Sequence, residues 1–380
     1  MSTREYQPLR LVLVALVALA LGACAGQPPV ARAPQYNPQQ LLQGSQFGLA
    51  PQALAAVDLL AVNDDMRAFV REHVPRHVND RRKVELLLGA ILEDGLNLTY
   101  NNFQTFTAEE AFYSREGNCM SFTNLFVALA REAGVDARFQ EVEVPPTWAA
   151  QGETWLFNLH INAVVDLPGH EQVVDFNLED YNREFHRREL SDRDALARYH
   201  NNMGVHWLSQ GDLAQAFAQF KRAIQLRPGT GYFYTNLGTL YRRLGEDGAA
   251  ESAYLAAIDI DEEPVAYSNL ARLYEQRGEG ELARYYRGRV ELFRARNPYY
   301  LFHMAEEAYA AADYTEAEGL LLRALRQNSK DHQFYRLLGM THLRQGDYWL
   351  AQKRFRQAAE YADDEALARY NHKLELLANY

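Results

Sequence analysis

The feature that most restricts the fold lies in the C-terminal half, where small residues recur at one position: Gly204, Gly238, Ala271, Ala305 and Gly339, spaced 34, 33, 34 and 34 residues apart. Seven residues further on come Gly211, Gly245, Gly278, Ala312 and Gly346, and five beyond those Ala216, Ala250, Ala283, Ala317 and Ala351. Small residues at fixed offsets mark places where two helices cross closely. A period of this length belongs to a helix–turn–helix unit that cannot bury its apolar face alone and must stack on copies of itself. The sequence therefore predicts an all-α solenoid of five units over 197–364, with Pro228, Pro264 and Pro298 punctuating the joints. Such a stack curves into a concave surface that fits a protein partner. Residues 365–380, with Leu367, Tyr370, Leu374 and Leu377 on one stripe, read as a capping helix.

These offsets resemble the tetratricopeptide repeat, with aromatic Trp207, Tyr241 and Tyr274 at the expected place and departures at Ala308 and His342. The Tyr-rich stripes of the repeats, Tyr285 and Tyr286 among them, read first as repeat core and joint packing.

The N-terminal half has a different focus, Gly117-Asn118-Cys119. From Phe122 the apolar residues Leu125, Phe126, Leu129 and Ala133 keep the spacing of a core-facing helix that stops at Gly134. Cys119 thus opens a buried helix with Asn118 as its N-cap, and the positive end of the helix dipole stabilises a thiolate there. A cysteine so placed is either a nucleophile or a small buried core residue.

Cysteine usage bears on that choice. Arg4 and Arg10 flank a positive region, Leu11 to Leu21 form an apolar stretch too short to span a bilayer comfortably, and small residues follow, as in an export signal. Leu21-Gly22-Ala23-Cys24 resembles the bacterial lipobox, which implies that 1–24 hold a lipoprotein signal and that Cys24 is lipidated, with Ala25 implying sorting to the outer membrane, facing the periplasm. The chain has 2 cysteines, so Cys119 is left unpaired and no disulfide is expected. A lone thiol in an oxidising compartment points to reactivity. Residues 25–50, rich in Pro, Gln, Ala and Gly without a sustained period, read as a flexible linker from the membrane.

A compact α+β unit is expected over 51–190. Val57 to Val70 and Arg82 to Leu92 read as helices, and Thr107 with Glu110 forms a capping box for a short helix running into Gly117. Asp136 to Val144 reads as a strand ended by Pro145-Pro146. Along Trp155 to Leu167, the residues Trp155, Phe157, Leu159, Ile161, Ala163, Val165 and Leu167 share one face, and Asn158, His160 and Asn162 the other. Pro168-Gly169 suits a tight turn, so Val173 to Phe176 is the partner strand of a hairpin. With those two as loop residues, Asn162 faces Asp175, and His160 and Asp175 are diagonal neighbours within side-chain reach. A one-residue slip would separate them.

Cys119 at a helix start, His160 on a later strand and Asp175 on its partner resemble the transglutaminase-like, papain-like core over roughly 58–181. The resemblance implies Cys119 as nucleophile, His160 as base and Asp175 as its orienter. Oxyanion stabilisation calls for the Cys119 N–H and a second donor, for which Tyr100 or Gln104 is available. The family's upstream tryptophan is missing, because no Trp precedes Cys119. No cofactor is implied. His73 and His77 have helical zinc spacing, but Pro75 interrupts them and no third ligand is evident, so no metal is expected. The net charge of -11 argues against a nucleic-acid partner.

Two functions fit. One is an envelope lipoprotein performing cysteine-dependent acyl transfer on a peptide or protein amide, its repeats binding protein on their concave face. The other is a non-catalytic adaptor whose repeats assemble envelope proteins. The core is expected to survive deletion of 197–380, provided that it does not pack extensively on the first repeat.

Overall fold

The structure is a computed structural model, and it describes residues 33–92, 95–101, 104–142, 160–176, 187–362 and 364–377. The expected helix over Val57–Val62 does not form. The Asp58 carboxylate accepts the Leu60 N–H at 3.1 Å in a local turn, and α1 (Asp64–His73) begins only where Asn63 caps it. The Leu59 carbonyl instead receives the Ala108 N–H at 2.9 Å. Then follow α2 (Asp80–Leu92), β1 (Thr99–Tyr100), α3 (Ala108–Ser114) with the capping box of Thr107 and Glu110, and β2 (Glu116–Gly117), parallel to β1.

Helix α4 (Cys119–Glu132) is the axis of this half, buried from Met120 to Ala130. Its Leu125, Phe126 and Leu129 pack with Phe139, Ile161, Ala163 and Val165 of a four-stranded antiparallel sheet. The strands are β3 (Ala137–Val142), β4 (His160–Leu167), β5 (His170–Val174) and β6 (Arg187–Leu190), in the order β5-β4-β3-β6. Leu167 pairs with His170 and Ala163 with Val174, the register that the Pro168-Gly169 turn dictates. The sequence reading missed β6, and its expectations for 143–159 fall outside the described residues.

From Asp192 the chain is helical. Five antiparallel pairs follow: α5 (Asp192–Ser209) with α6 (Leu213–Leu226), α7 (Gly231–Leu244) with α8 (Asp247–Asp261), α9 (Pro264–Gln276) with α10 (Gly280–Arg296), α11 (Pro298–Ala310) with α12 (Tyr314–Gln327), and α13 (His332–Gln345) with α14 (Tyr348–Tyr361). A last helix, α15 (Asp364–Leu377), lies against α14. The periodic small residues sit at the crossings: a Cβ on Gly204 would lie 2.4 Å from the Phe220 ring.

Two expectations need correction. The stretch read as a flexible linker is packed over 36–49. Leu41, Phe47 and Leu49 are buried in the repeat core, the Tyr36 N–H donates to Ser252 Oγ at 3.1 Å, and the Tyr241 hydroxyl donates to the Leu41 carbonyl. Phe47 packs against the Tyr241 ring at 4.6 Å between centroids. A few spaced apolar residues are enough when a preformed groove receives them.

The two halves also pack on each other through α5, which contributes to both cores. Its Ala195 and Tyr199 are buried in the N-terminal core, and its Ala197 and Leu208 in the repeat core. It runs antiparallel to α4, from the two-pronged Arg131–Asp192 contact (2.7 and 2.9 Å) to Asn202, whose Nδ2 is 3.6 Å from Met120 Sδ. Glu141 of β3, 3 % exposed, is held between Arg198 of α5, also 3 % exposed, and Arg188 of β6.

Candidate active site

Cys119 is the first residue of α4, is half-buried and has a free thiol. What presents it is a stitched turn. Asn118 caps the helix, its Oδ1 accepting the Ser121 N–H at 3.1 Å while its Nδ2 donates to Thr105 Oγ1 at 2.7 Å. The Asn118 N–H donates to the Gln104 carbonyl at 3.1 Å, and Ser121 Oγ accepts the Phe106 N–H at 2.8 Å. Residues 104–106 are thereby sewn to the start of α4. Gly117, at φ 152°, is needed here, since a Cβ would fall 2.5 Å from Ser121 Cβ.

His160 opens β4 and is 6 % exposed. Its Nε2 is 2.7 Å from each carboxylate oxygen of Asp175, whose side chain is 2 % exposed. With Nε2 committed to Asp175, Nδ1 is the ring nitrogen available to a second group. Burial alone would push the His160 pKa down, but the Asp175 carboxylate and Cys119 outweigh it and hold it up at about 10, against an ordinary 6.5. That direction favours the imidazolium form of the ring. His160 and Asp175 are thus joined by a hydrogen bond, and Cys119 is near enough to bear on the charge of the imidazole.

The two oxyanion candidates differ. Tyr100 lies opposite Gly117 in the β1–β2 register, is 41 % exposed and sets its ring edge-on to Phe122 at 6.1 Å. Gln104 is bonded directly to the N-cap of the nucleophile helix, and its buried Oε1 has no partner among the described residues. Gln104 thus has spare hydrogen-bonding capacity at the turn that presents Cys119.

His73 Nδ1 is 2.9 Å from the Phe69 carbonyl at the end of α1, and His77 lies beyond that end. Among the described residues no three His, Cys, Asp or Glu side chains are grouped to hold a metal ion. Sequence reasoning placed Asn162 opposite Asp175 but gave it no role; its Nδ2 donates to Asp175 Oδ2 at 2.9 Å. The available signal was an amide alternating with a histidine on an otherwise apolar strand.

The site thus sets a cysteine at a helix start against a β-hairpin whose histidine is paired with an aspartate. Residues 79–165 match the transglutaminase-like superfamily, and residues 201–264 and 302–351 match the tetratricopeptide repeat. The chain therefore carries a transglutaminase-like domain followed by tetratricopeptide repeats. Among curated proteins none matches it. Similar solved structures include MamA protein, at 17 % identity over 46 % of this chain and 95 % of that one with a TM-score of 0.24. Pseudomonas aeruginosa pilF is 15 % identical over 50 % of this chain and 90 % of that one, TM-score 0.26. YrrB, a TPR protein with an unusual peptide-binding site, is 18 % identical over 47 % and 92 %, TM-score 0.25.

Proposed function

We propose that the protein is a cysteine-dependent acyl-transfer enzyme acting on a peptide or protein amide, with repeats that bind protein. The observation that supports it is the His160–Asp175 hydrogen bond at 2.7 Å, on a ring whose pKa Cys119 also helps to raise. In the first step the Cys119 sulfur forms a bond to the amide carbonyl carbon, the C–N bond breaks, and the imidazolium proton goes to the departing amine. In the second, water or an amine attacks the thioester, the now neutral imidazole takes its proton, and the thiolate leaves. Asp175 keeps Nε2–H engaged so that Nδ1 faces the sulfur. The Cys119 N–H and the Gln104 amide are the candidate donors to the oxyanion.

The lipobox-like segment supports anchoring through Cys24 to the outer membrane, and the repeat curvature supports a protein partner on the concave face. An adaptor reading is favoured by one observation, the absence of a tryptophan before Cys119 in the oxyanion role. Incubation with amide peptides and mass spectrometry decides between them. An acyl adduct on Cys119, absent in Cys119→Ala, supports the enzyme, whereas no adduct from any peptide, with repeat-dependent protein capture retained, would establish the adaptor.

A further inference from the structure

Asn162 sits on β4 two residues beyond His160, on the same side of the strand and 0 % exposed. Its Nδ2 donates to Asp175 Oδ2 at 2.9 Å, the same carboxylate whose two oxygens are each 2.7 Å from His160 Nε2. The other end of its amide, Oδ1, is buried with no partner among the described residues, and so is Oε1 of Gln140, its cross-strand neighbour on β3. A buried acceptor without a donor is destabilising, and an apolar residue of similar volume would remove that cost. The amide cannot be reversed to relieve it, because Oδ1 would then face a carboxylate. So position 162 carries a polar group that is poorly satisfied at one end and well placed at the other.

The geometry points to Asn162 as a positioning residue for the triad: its amide pins the Asp175 carboxylate so that His160 keeps Nε2 engaged and Nδ1 on Cys119. This rests on the reading of Cys119, His160 and Asp175 as one working chain. Without the amide the carboxylate loses a donor to Oδ2, and a hydrogen bond that needs both oxygens in register with Nε2 is held less firmly. Leu or Ala at this site removes the orphaned Oδ1 but also one donor to the buried Asp175 carboxylate, so the two effects on stability oppose each other.

The test uses the full chain and reads the charge of His160 and the alkylation of Cys119, neither of which requires a substrate. The variants are Asn162→Leu and Asn162→Ala, with Asp175→Asn as control. The expected result is a cooperatively folded variant whose His160 ring loses its proton, by nuclear magnetic resonance, about one pH unit lower, a tenfold change in the ratio of its two forms. Cys119 alkylation should lose its pH dependence on the same limb, and Asn162→Ser, which restores a donor, should recover part of the shift. If Asp175→Asn moves the His160 titration while both Asn162 variants leave it in place, Asn162 is structural and this inference is overturned. Should Asp175→Asn itself move nothing, the triad reading has failed, which is a different outcome. If Leu unfolds the protein, the smaller Ala variant carries the same reading.

Discussion

His160 Nε2 lies equidistant, at 2.7 Å, from the two carboxylate oxygens of Asp175, although the residues are fifteen apart, one opening β4 and the other just past the end of β5. A donor centred on both oxygens resists reorientation of either partner, so the imidazole is fixed before any substrate arrives. The sign of its contribution to stability follows. The folded pKa of about 10 lies above the ordinary 6.5, so the contribution is complete below about pH 6.5 and is lost as pH rises toward 10. Denaturant unfolding of wild type and Asp175→Asn should therefore differ most near pH 6 and converge toward pH 10. A difference that grows with pH would show that His160 is neutral in the fold.

Cys119 should react with iodoacetamide in the folded protein and keep reacting near pH 6. His160→Ala should slow that reaction by about tenfold, as expected when one protonation partner is removed. His170, across the turn from Leu167, serves as the control and should change nothing. Reaction only after denaturant is added would mark Cys119 as a structural thiol.

The place of Cys119 at a helix start and the meeting of His160 with Asp175 were legible because each is set by local chemistry. Asn118 fixes the helix start that presents Cys119, and Pro168-Gly169 fixes the register that brings Asp175 to His160. The repeats were legible because the small residues at their crossings are spaced in the sequence as they are in the solenoid. What escaped depends on distant partners. Leu41, Phe47 and Leu49 have no period among glutamines, and only the groove around Tyr241 gives them a place. Glu141 and Arg198 are 57 residues apart, and no local pattern joins a strand of one unit to the first helix of the next.

The N-terminal strap should contribute measurably to the repeats. Leu41 is 0 % exposed, and Leu41→Ala should cost about 2–5 kcal/mol, the range for a buried leucine replaced by alanine. Gly44→Val should be comparably harmful, since even a Cβ at that position would lie 2.6 Å from the Phe217 ring. Thermal melts with hydrogen exchange on α7 and α8 would read this. Unchanged exchange at Tyr241 in both variants would mean that the strap rests on the repeats without stabilising them.

The joint between the two units should fail in acid and on truncation. Burial alone would raise the Glu141 pKa, but hydrogen bonds and charge from Arg198 and Arg188 outweigh it and hold it below the ordinary 4.5. A depressed carboxylate stabilises the fold above its ordinary pKa and loses that contribution as pH falls through the folded value. Glu141→Gln leaves Arg198 buried without its countercharge, which should cost about 3–5 kcal/mol at pH 7, the range for breaking one side of a buried pair. That penalty should shrink on acidification, as the wild-type carboxylate takes up the proton that the amide mimics. Cutting before Ala197 removes Tyr199 and Arg198 together, so the fragment exposes the floor of its core and should be insoluble rather than a free-standing domain. Urea midpoints for wild type and Glu141→Gln from pH 7 to pH 3, beside the solubility of a 33–196 fragment and of a 33–209 fragment that keeps α5, would decide it. A soluble, cooperatively folding 33–196 fragment would show that α5 is only borrowed by the N-terminal core and is not part of it.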